Sequence, residues 1–241
     1  AGDKPLILSE FGMDTIRHPE EEQAELLCKH VNTVFKAGLA GTIIFSWTDE
    51  WFTDGIDVTD WYSVGGGESG YIAPDPLNEN VYYAGSYGGL LTRYDRRTGQ
   101  QRNINIWPDN PMGYGSEGIT ERFQWTFPII FSPVDPNTLY TSTQHLWKST
   151  DQGNSWTKIS GDLTLNVNRD TLKMMGAVVD SDALSRHDGQ SNYGSLTAVS
   201  ESPLNAQVIY TGSDDGQVQV TKDGGKTWMN VTGRISGLPP Q

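Results

Sequence analysis

The densest collection of groups able to do chemistry lies between residues 107 and 125. Trp107-Pro-Asp-Asn-Pro-Met-Gly-Tyr-Gly115 is followed by Glu117, Glu121, Arg122 and Trp125. Its prolines and glycines make this stretch a loop. Aromatic rings stack on sugar faces and equally anchor loops, so Trp107 and Tyr114 are candidates either for substrate binding or for packing. Other chemistries find less material. The four histidines, His18, His30, His145 and His187, are not spaced to hold zinc with a cysteine or with one another, so no metal is expected. There is no Gly-x-Ser-x-Gly elbow and no phosphate loop, and no cofactor is expected. The single cysteine, Cys28, excludes an internal disulfide and, in a helix of apolar periodicity, reads as a packed core residue. Asn78-Glu79 and Asp214-Asp-Gly216 both read as turns.

The elements that must position these groups announce themselves by repetition. Ser149-Thr-Asp-Gln-Gly-Asn-Ser-Trp156 recurs as Thr221-Lys-Asp-Gly-Gly-Lys-Thr-Trp228. In each copy Asp151 or Asp223 can accept from backbone N–H groups two residues on and close a turn. Gly153 or Gly225 supplies a positive φ. Trp156 or Trp228 starts the next strand with a large apolar face. Three longer segments align around Tyr83, Tyr140 and Tyr210, each a Pro/Asn turn, a β-rich strand, a small-residue turn and an alternating strand. That is a meander of short antiparallel strands. The tyrosines are spaced more widely than the ~40–50 residues of an ordinary blade repeat, so the blades carry long loops or a weaker blade hides between them. Gly65-Gly-Gly-Glu-Ser-Gly70 reads as a turn leading into a strand. Residues 162–192 break the repeat as an excursion rich in Asp, Asn, Ser and Arg.

Residues 1–62 stand apart. Lys4-Pro-Leu-Ile-Leu-Ser-Glu10 and Gly41-Thr-Ile-Ile-Phe-Ser-Trp47 are continuous apolar runs, read as buried strands of a parallel sheet. Between them Pro19 sits in a first helical turn, Glu20, Glu21 and Glu22 favour the positive end of the helix dipole, and Gly38 ends the helix. Strand, helix, strand is one βαβ unit. The expected division is therefore 1–62 and 63–241, with no Pro/Ser linker at the seam near 57–64.

The net charge of −13 argues against nucleic acid or an anionic membrane as partner. No apolar run approaches the ~20 residues of a membrane span. The chain starts at Ala1, consistent with a removed leader and an extracytoplasmic or secreted location.

Residues 63–241 resemble the Asp-box, or bacterial-neuraminidase-repeat, β-propellers, a superfamily that includes sialidases, xyloglucanase-type glycosidases and sortilin-like proteins. The resemblance rests on the two boxes (Ser149, Asp151, Gly153, Trp156; Thr221, Asp223, Gly225, Trp228) and the three aligned repeats. Residues 1–62 resemble the last strand-helix-strand of a retaining (β/α)₈-barrel glycosidase. By that resemblance Glu10 matches the nucleophile and Trp47 a sugar-subsite tryptophan, with Glu50 and Trp51 following as further substrate-binding candidates. Retaining hydrolysis needs two carboxyl groups ~5–5.5 Å apart. The family's acid/base comes from an earlier strand, so it would have to be a propeller carboxylate such as Glu68, Glu117 or Glu121, or come from a second chain. The expected fold is mainly β: a partial Asp-box propeller preceded by one βαβ unit, two family fragments joined mid-domain as a natural chimera, an engineered one or a product of sequence assembly. Two functions are expected to compete. One is a carbohydrate-active protein of glycoside hydrolase lineage, its hydrolysis incomplete in this chain. The other is a non-catalytic propeller binding a glycan or protein ligand on one face, with self-association through open sheet edges.

Overall fold

The computed structural model describes residues 7–11, 18–44, 62–108, 118–183, 186 and 192–237. The chain divides into two units, Ala1–Tyr62 and Ser63–Gln241.

In the first unit β1 (Ile7–Phe11) and β2 (Gly41–Ile44) pair in parallel, with α1 (Glu20–Lys36) between them in sequence. Pro19 is the N-cap rather than a residue of the first turn, and Glu20, Glu21 and Glu22 occupy that turn. Gly38, at φ +76°, closes the helix. Val34 is buried, and the Phe11 and His30 rings meet edge to face at 5.2 Å. The strands are less covered than their composition predicts, since Ile7, Leu8 and Ile43 are exposed. A two-stranded sheet with one helix can shelter only one of its faces. Cys28 is exposed, contrary to the expectation of a core position. It follows Leu27 by one residue, and ~100° of helical rotation turns it from the Leu27–Val31–Val34 stripe.

The second unit is mainly β, a partial β-propeller of three antiparallel four-stranded meanders. Blade 1 is β3 (Ile72–Pro74), β4 (Val81–Ser86), β5 (Leu90–Asp95) and β6 (Gln100–Asn103). Blade 2 is β7 (Ile129–Phe131), β8 (Leu139–Ser142), β9 (Leu146–Ser149) and β10 (Thr157–Lys158). After a small hairpin, β11 (Lys173–Met174) and β12 (Ala177–Val178), blade 3 is β13 (Leu196–Ser202), β14 (Asn205–Ser213), β15 (Val218–Thr221) and β16 (Met229–Asn230). The wide repeat spacing comes from long connections between blades, and among the described residues no fourth blade lies within them.

Two cores form, one at each junction of blades. Val81, Tyr83, Leu91, Phe127, Ile129 and Leu139 fill the first. Tyr140, Leu146, Leu163, Leu196 and Ile209 fill the second. The boxed turns lock these junctions. Ser149 Oγ donates to Asp151 Oδ1 at 2.8 Å and accepts the Gly153 N–H at 2.9 Å. Asp151 accepts from Ser155 N and Oγ, four residues on rather than two, because the intervening Gln152 and Gly153 both take positive φ and curl the chain back. Thr221, Asp223, Gly225 and Thr227 repeat this arrangement. Each turn aims its tryptophan at the preceding blade. Trp156 Nε1 donates to the Ile104 carbonyl at 2.9 Å, and Trp228 Nε1 to the Ile159 carbonyl at 3.2 Å.

The fit leaves no room for a methyl group. A Cβ on Gly225 would lie 2.6 Å from the Ile159 carbonyl oxygen, and one on Gly153 would lie 2.5 Å from Ile104 Cδ1. Gly99, at φ +68°, has nothing within 4 Å of that position. Urea unfolding is expected to show Gly225→Ala and Gly153→Ala destabilised by roughly 1–3 kcal/mol beyond Gly99→Ala, which carries the backbone cost alone. Gly225→Ala should be the worst, since a backbone oxygen cannot swing away.

Candidate ligand face

In a four-stranded meander the turn between the second and third strands lies at the same end as the chain leading into the first. The boxed turns, between third and fourth strands, lie at the other end. Among the described residues, the end opposite the boxes therefore gathers three short turns (87–89, 143–145 and 214–217) and the lead-in segments 63–71, 104–108, 118–128, 159–183 and 192–195. Most of the polar side chains with long-range partners meet there.

Glu121 is at its buried centre. Its Oε2 accepts from Thr143 Oγ1 at 2.5 Å and lies 2.9 Å from His145 Nδ1, while Oε1 accepts from Lys158 Nζ at 2.9 Å. Lys158 also stands over the Trp147 ring, 4.9 Å from its centroid. Burial alone would raise the Glu121 pKa. The bonds from His145, Thr143 and Lys158 outweigh it and hold the carboxyl at about 2. Next door, buried Arg122 donates through Nε to the Gly194 carbonyl at 2.9 Å and through Nη2 to Asp162 Oδ2 at 2.8 Å. Its N–H is received by Gln144 Oε1 at 2.8 Å. These two residues staple the lead-in of blade 2 to its own 143–145 turn and to the lead-in of blade 3.

Asp214 accepts at Oδ1 from the N–H groups of Gly194 and Ser195, and at Oδ2 from Gln124 Nε2, all at 2.9 Å. Burial raises its pKa, with Asp215 adding in the same direction against those bonds. Gln124 turns its other end to the Trp125 N–H at 2.9 Å. Trp125 itself is 44% exposed. Its Nε1 donates to the Ser69 carbonyl at 3.1 Å, and its ring lies 5.2 Å from that of Tyr87, tilted by 51°. One connected strip thus runs from the blade 3 turn (Asp214) through Gln124 and Trp125 to the blade 1 turn (Tyr87) and its lead-in (Ser69).

The sequence candidates are distributed differently. Trp107 is half-buried and packs against the first core. Glu10 belongs to β1. Trp47, Glu50, Trp51, Tyr114 and Glu117 lie outside the described residues. The boxed residues sit at the far end of the blades from the strip. Glu121, Arg122 and Trp125 were visible as a charged aromatic loop, whereas Gln124, Tyr87 and Asp214 carried only ordinary turn chemistry. Among the described residues no group of three His, Cys, Asp or Glu side chains is arranged to hold a metal ion, and no helix is long and apolar enough to cross a membrane.

No protein-family model matches the chain, and no curated protein matches it. Among solved structures it is similar to an ancestral GH74 enzyme, at 18% identity and TM-score 0.41 over 68% of this chain and 18% of that one. The GH74 xyloglucanase from Xanthomonas campestris aligns at 20% identity and TM-score 0.42 over 70% and 23%. YCF48 from Cyanidioschyzon merolae aligns at 14% and 0.34 over 66% and 35%. The chain thus spans about a fifth of the length of the two GH74 structures and about a third of YCF48.

The depressed carboxyl of Glu121 makes a pH prediction. A group whose folded pKa lies below its unfolded value of ~4.3 stabilises the fold above that value, and the contribution is lost as pH falls toward 2. Glu121→Gln should cost about 3 kcal/mol at pH 7, and its deficit against the parent should shrink between about pH 4 and pH 2. Thermal melts across that window check it.

Proposed function

We propose that this chain is a carbohydrate-active protein of glycoside hydrolase lineage whose propeller part binds a glycan along the Tyr87–Trp125–Gln124–Asp214 strip. The observation that carries the reading is the exposed Trp125 ring, held at its indole N–H and braced by Tyr87, beside polar groups fixed by their own partners. Sugars are recognised in this way, by an aromatic face under the C–H surface of the ring and by oriented donors and acceptors at its hydroxyls. The same reading places the protein outside the cytoplasm, where such glycans are met.

Two carboxylates of this end, Glu121 and Asp214, favour binding over hydrolysis. A general acid must hold a proton near working pH. Glu121, kept anionic by three partners, does not. Asp214, with its raised pKa, already accepts three hydrogen bonds.

Titration calorimetry against soluble β-glucans and their oligosaccharides tests the proposal. Binding to at least one of them is expected, with Trp125→Ala weakening it about tenfold and Trp125→Phe retaining most of it. A panel without a binder, or a binder indifferent to Trp125→Ala, would remove the strip as the site.

Hydrolysis is a second reading, favoured by one observation: β1, which contains Glu10, pairs in parallel with β2 across a helical connection, as a barrel segment would. Glu10 is then the nucleophile, with Trp47, Glu50 and Trp51 as substrate contacts. A mechanism-based covalent glycosidase probe should add its mass to the peptide carrying Glu10, and Glu10→Gln should abolish the adduct. An unlabelled but folded protein would retire Glu10 as a catalyst and leave the glycan-binding reading untouched.

A further inference from the structure

Trp125 is held from two directions. Its Nε1 donates to the Ser69 carbonyl at 3.1 Å, on the lead-in of blade 1. Its backbone N–H donates to Gln124 Oε1 at 2.9 Å, and Gln124 Nε2 donates in turn to Asp214 Oδ2 at 2.9 Å, on the turn of blade 3. This second tie is a chain with a direction. A backbone N–H can only donate, so the Gln124 atom that meets it must be the carbonyl oxygen. An ionised carboxylate can only accept, so the atom facing Asp214 must be the amide nitrogen. One orientation of the amide satisfies both ends.

Asp214 sets that direction only while it is ionised. Its Oδ1 already receives the N–H groups of Gly194 and Ser195. An added proton is therefore left to Oδ2, where Gln124 donates, and two donors oppose each other. Turning the amide over relieves that contact but brings its nitrogen against the Trp125 N–H. Either way one bond of the chain is lost, and the backbone of Trp125 loses its tie to blade 3.

The surroundings of Asp214 pull both ways. Its own burial and the charge of Asp215, on the same turn, disfavour the anion. Arg169, from the lead-in of blade 3, favours it, and Tyr193 on that lead-in is held protonated in part by the same charge. Arg122, bonded to the Gly194 carbonyl, is paired with Asp162. Burial and Asp215 prevail over the hydrogen bonds, so proton uptake begins above the ordinary aspartate range. The supporting base answers acid differently. Burial works against the anions of Glu121 and Asp162 as well, but bonds from His145, Thr143 and Lys158 hold the first at about 2, and bonds from Thr164 and Arg122 bring the second below its usual range. The lead-ins therefore stay stapled by ionised carboxylates while Asp214 takes up its proton.

We propose that Asp214, acting through Gln124, is a positioning residue for Trp125 and makes the strip acid-releasable: ionised, it holds the ring for a ligand, and protonated, it lets the ring go. This regulation rests on the reading of the strip as a glycan site, whereas the ring itself can be followed without any ligand.

The indole N–H resonance of Trp125 in a proton–nitrogen correlation spectrum, assigned by its loss in Trp125→Phe, reports the ring directly. Asp214→Asn turns an acceptor into a donor and should shift that peak. Gln124→Glu sets two carboxylates against each other and should shift it too. Combining the two substitutions reverses the link, an amide at position 214 now donating to a carboxylate at position 124, and should bring the peak back. In the parent the peak should move in one step as pH falls from about 7 to about 4, and Asp214→Asn should lack that step. A peak unmoved by either single substitution, shifts that add in the double variant, or a parent peak constant with pH while the protein stays folded would each overturn the proposal. The pH series on the parent needs no substitution, so it decides even where a variant fails to fold. A β-glucan bound at pH 7 should bind about tenfold more weakly below the step. Affinity that holds while the peak moves would overturn acid release and leave the glycan reading in place. A panel without a binder, with the peak still moving, would remove the glycan reading and leave Asp214 as the residue that positions Trp125.

Discussion

A four-stranded meander has two apolar faces and by itself buries neither. That constraint organises the second unit. Tyr83 and Tyr140 are buried only because the next blade brings Phe131 and Ile129, or Leu196 and Ile209, against them. The boxed turns then serve the junction rather than the blade. Their hydrogen bonds are local, between Ser149, Asp151 and Ser155 or Thr221, Asp223 and Thr227, but the product is a rigid tryptophan aimed at a neighbour's carbonyl. A local rule thus enforces a long-range contact, which is how a stack of short repeats acquires cooperativity.

With junctions fixed from the boxed end, the opposite end is free to carry other chemistry. The lead-ins there are long, and they are held by side chains more than by ladders. Glu121 and Arg122 show how. Both are buried charges, and each is saturated by partners from at least two segments. Removing one partner from such a set would strand a charge, which is costly, while the complete set holds three loops in one arrangement. Trp125, three residues from Arg122, sits on this fixed base yet stays at the surface. An exposed ring on a rigid base can stack on a ligand without first losing its own freedom.

The meanders, the boxed turns and the βαβ order were legible in the sequence because each depends on residues within a few positions of one another. What was illegible depends on distance. Gln124 and Asp214 are 90 residues apart, and neither carries a motif. Asp214 sits in an Asp-Asp-Gly turn that would look the same with or without a partner. Tyr87 follows Ser86 in what reads as a small-residue turn and gains meaning only when Trp125 arrives across the blade junction. The strands β1 and β2 erred the other way. Their unbroken apolar runs read as buried on both faces, but burial needs two covering layers and α1 is a single one. In the same way Cys28 looked apolar by neighbourhood and is exposed by helical phase.

Charge separates the two functional readings more sharply than fold does. A retaining site needs one carboxyl that gives up a proton and one that stays ionised, and enzymes obtain the pair by placing them in opposed environments. The ligand-face end does hold carboxyls pushed apart, Glu121 downward and Asp214 upward. Yet both are spent on structure: Glu121 is enclosed by Thr143, His145 and Lys158, and Asp214 caps the Gly194 and Ser195 N–H groups. Opposed pKa values mark a catalytic pair only where at least one member faces open space, and here the open space belongs to the aromatic rings. The carboxyls therefore hold the loops in one arrangement, and in the proposed reading Trp125 is the ring that arrangement presents.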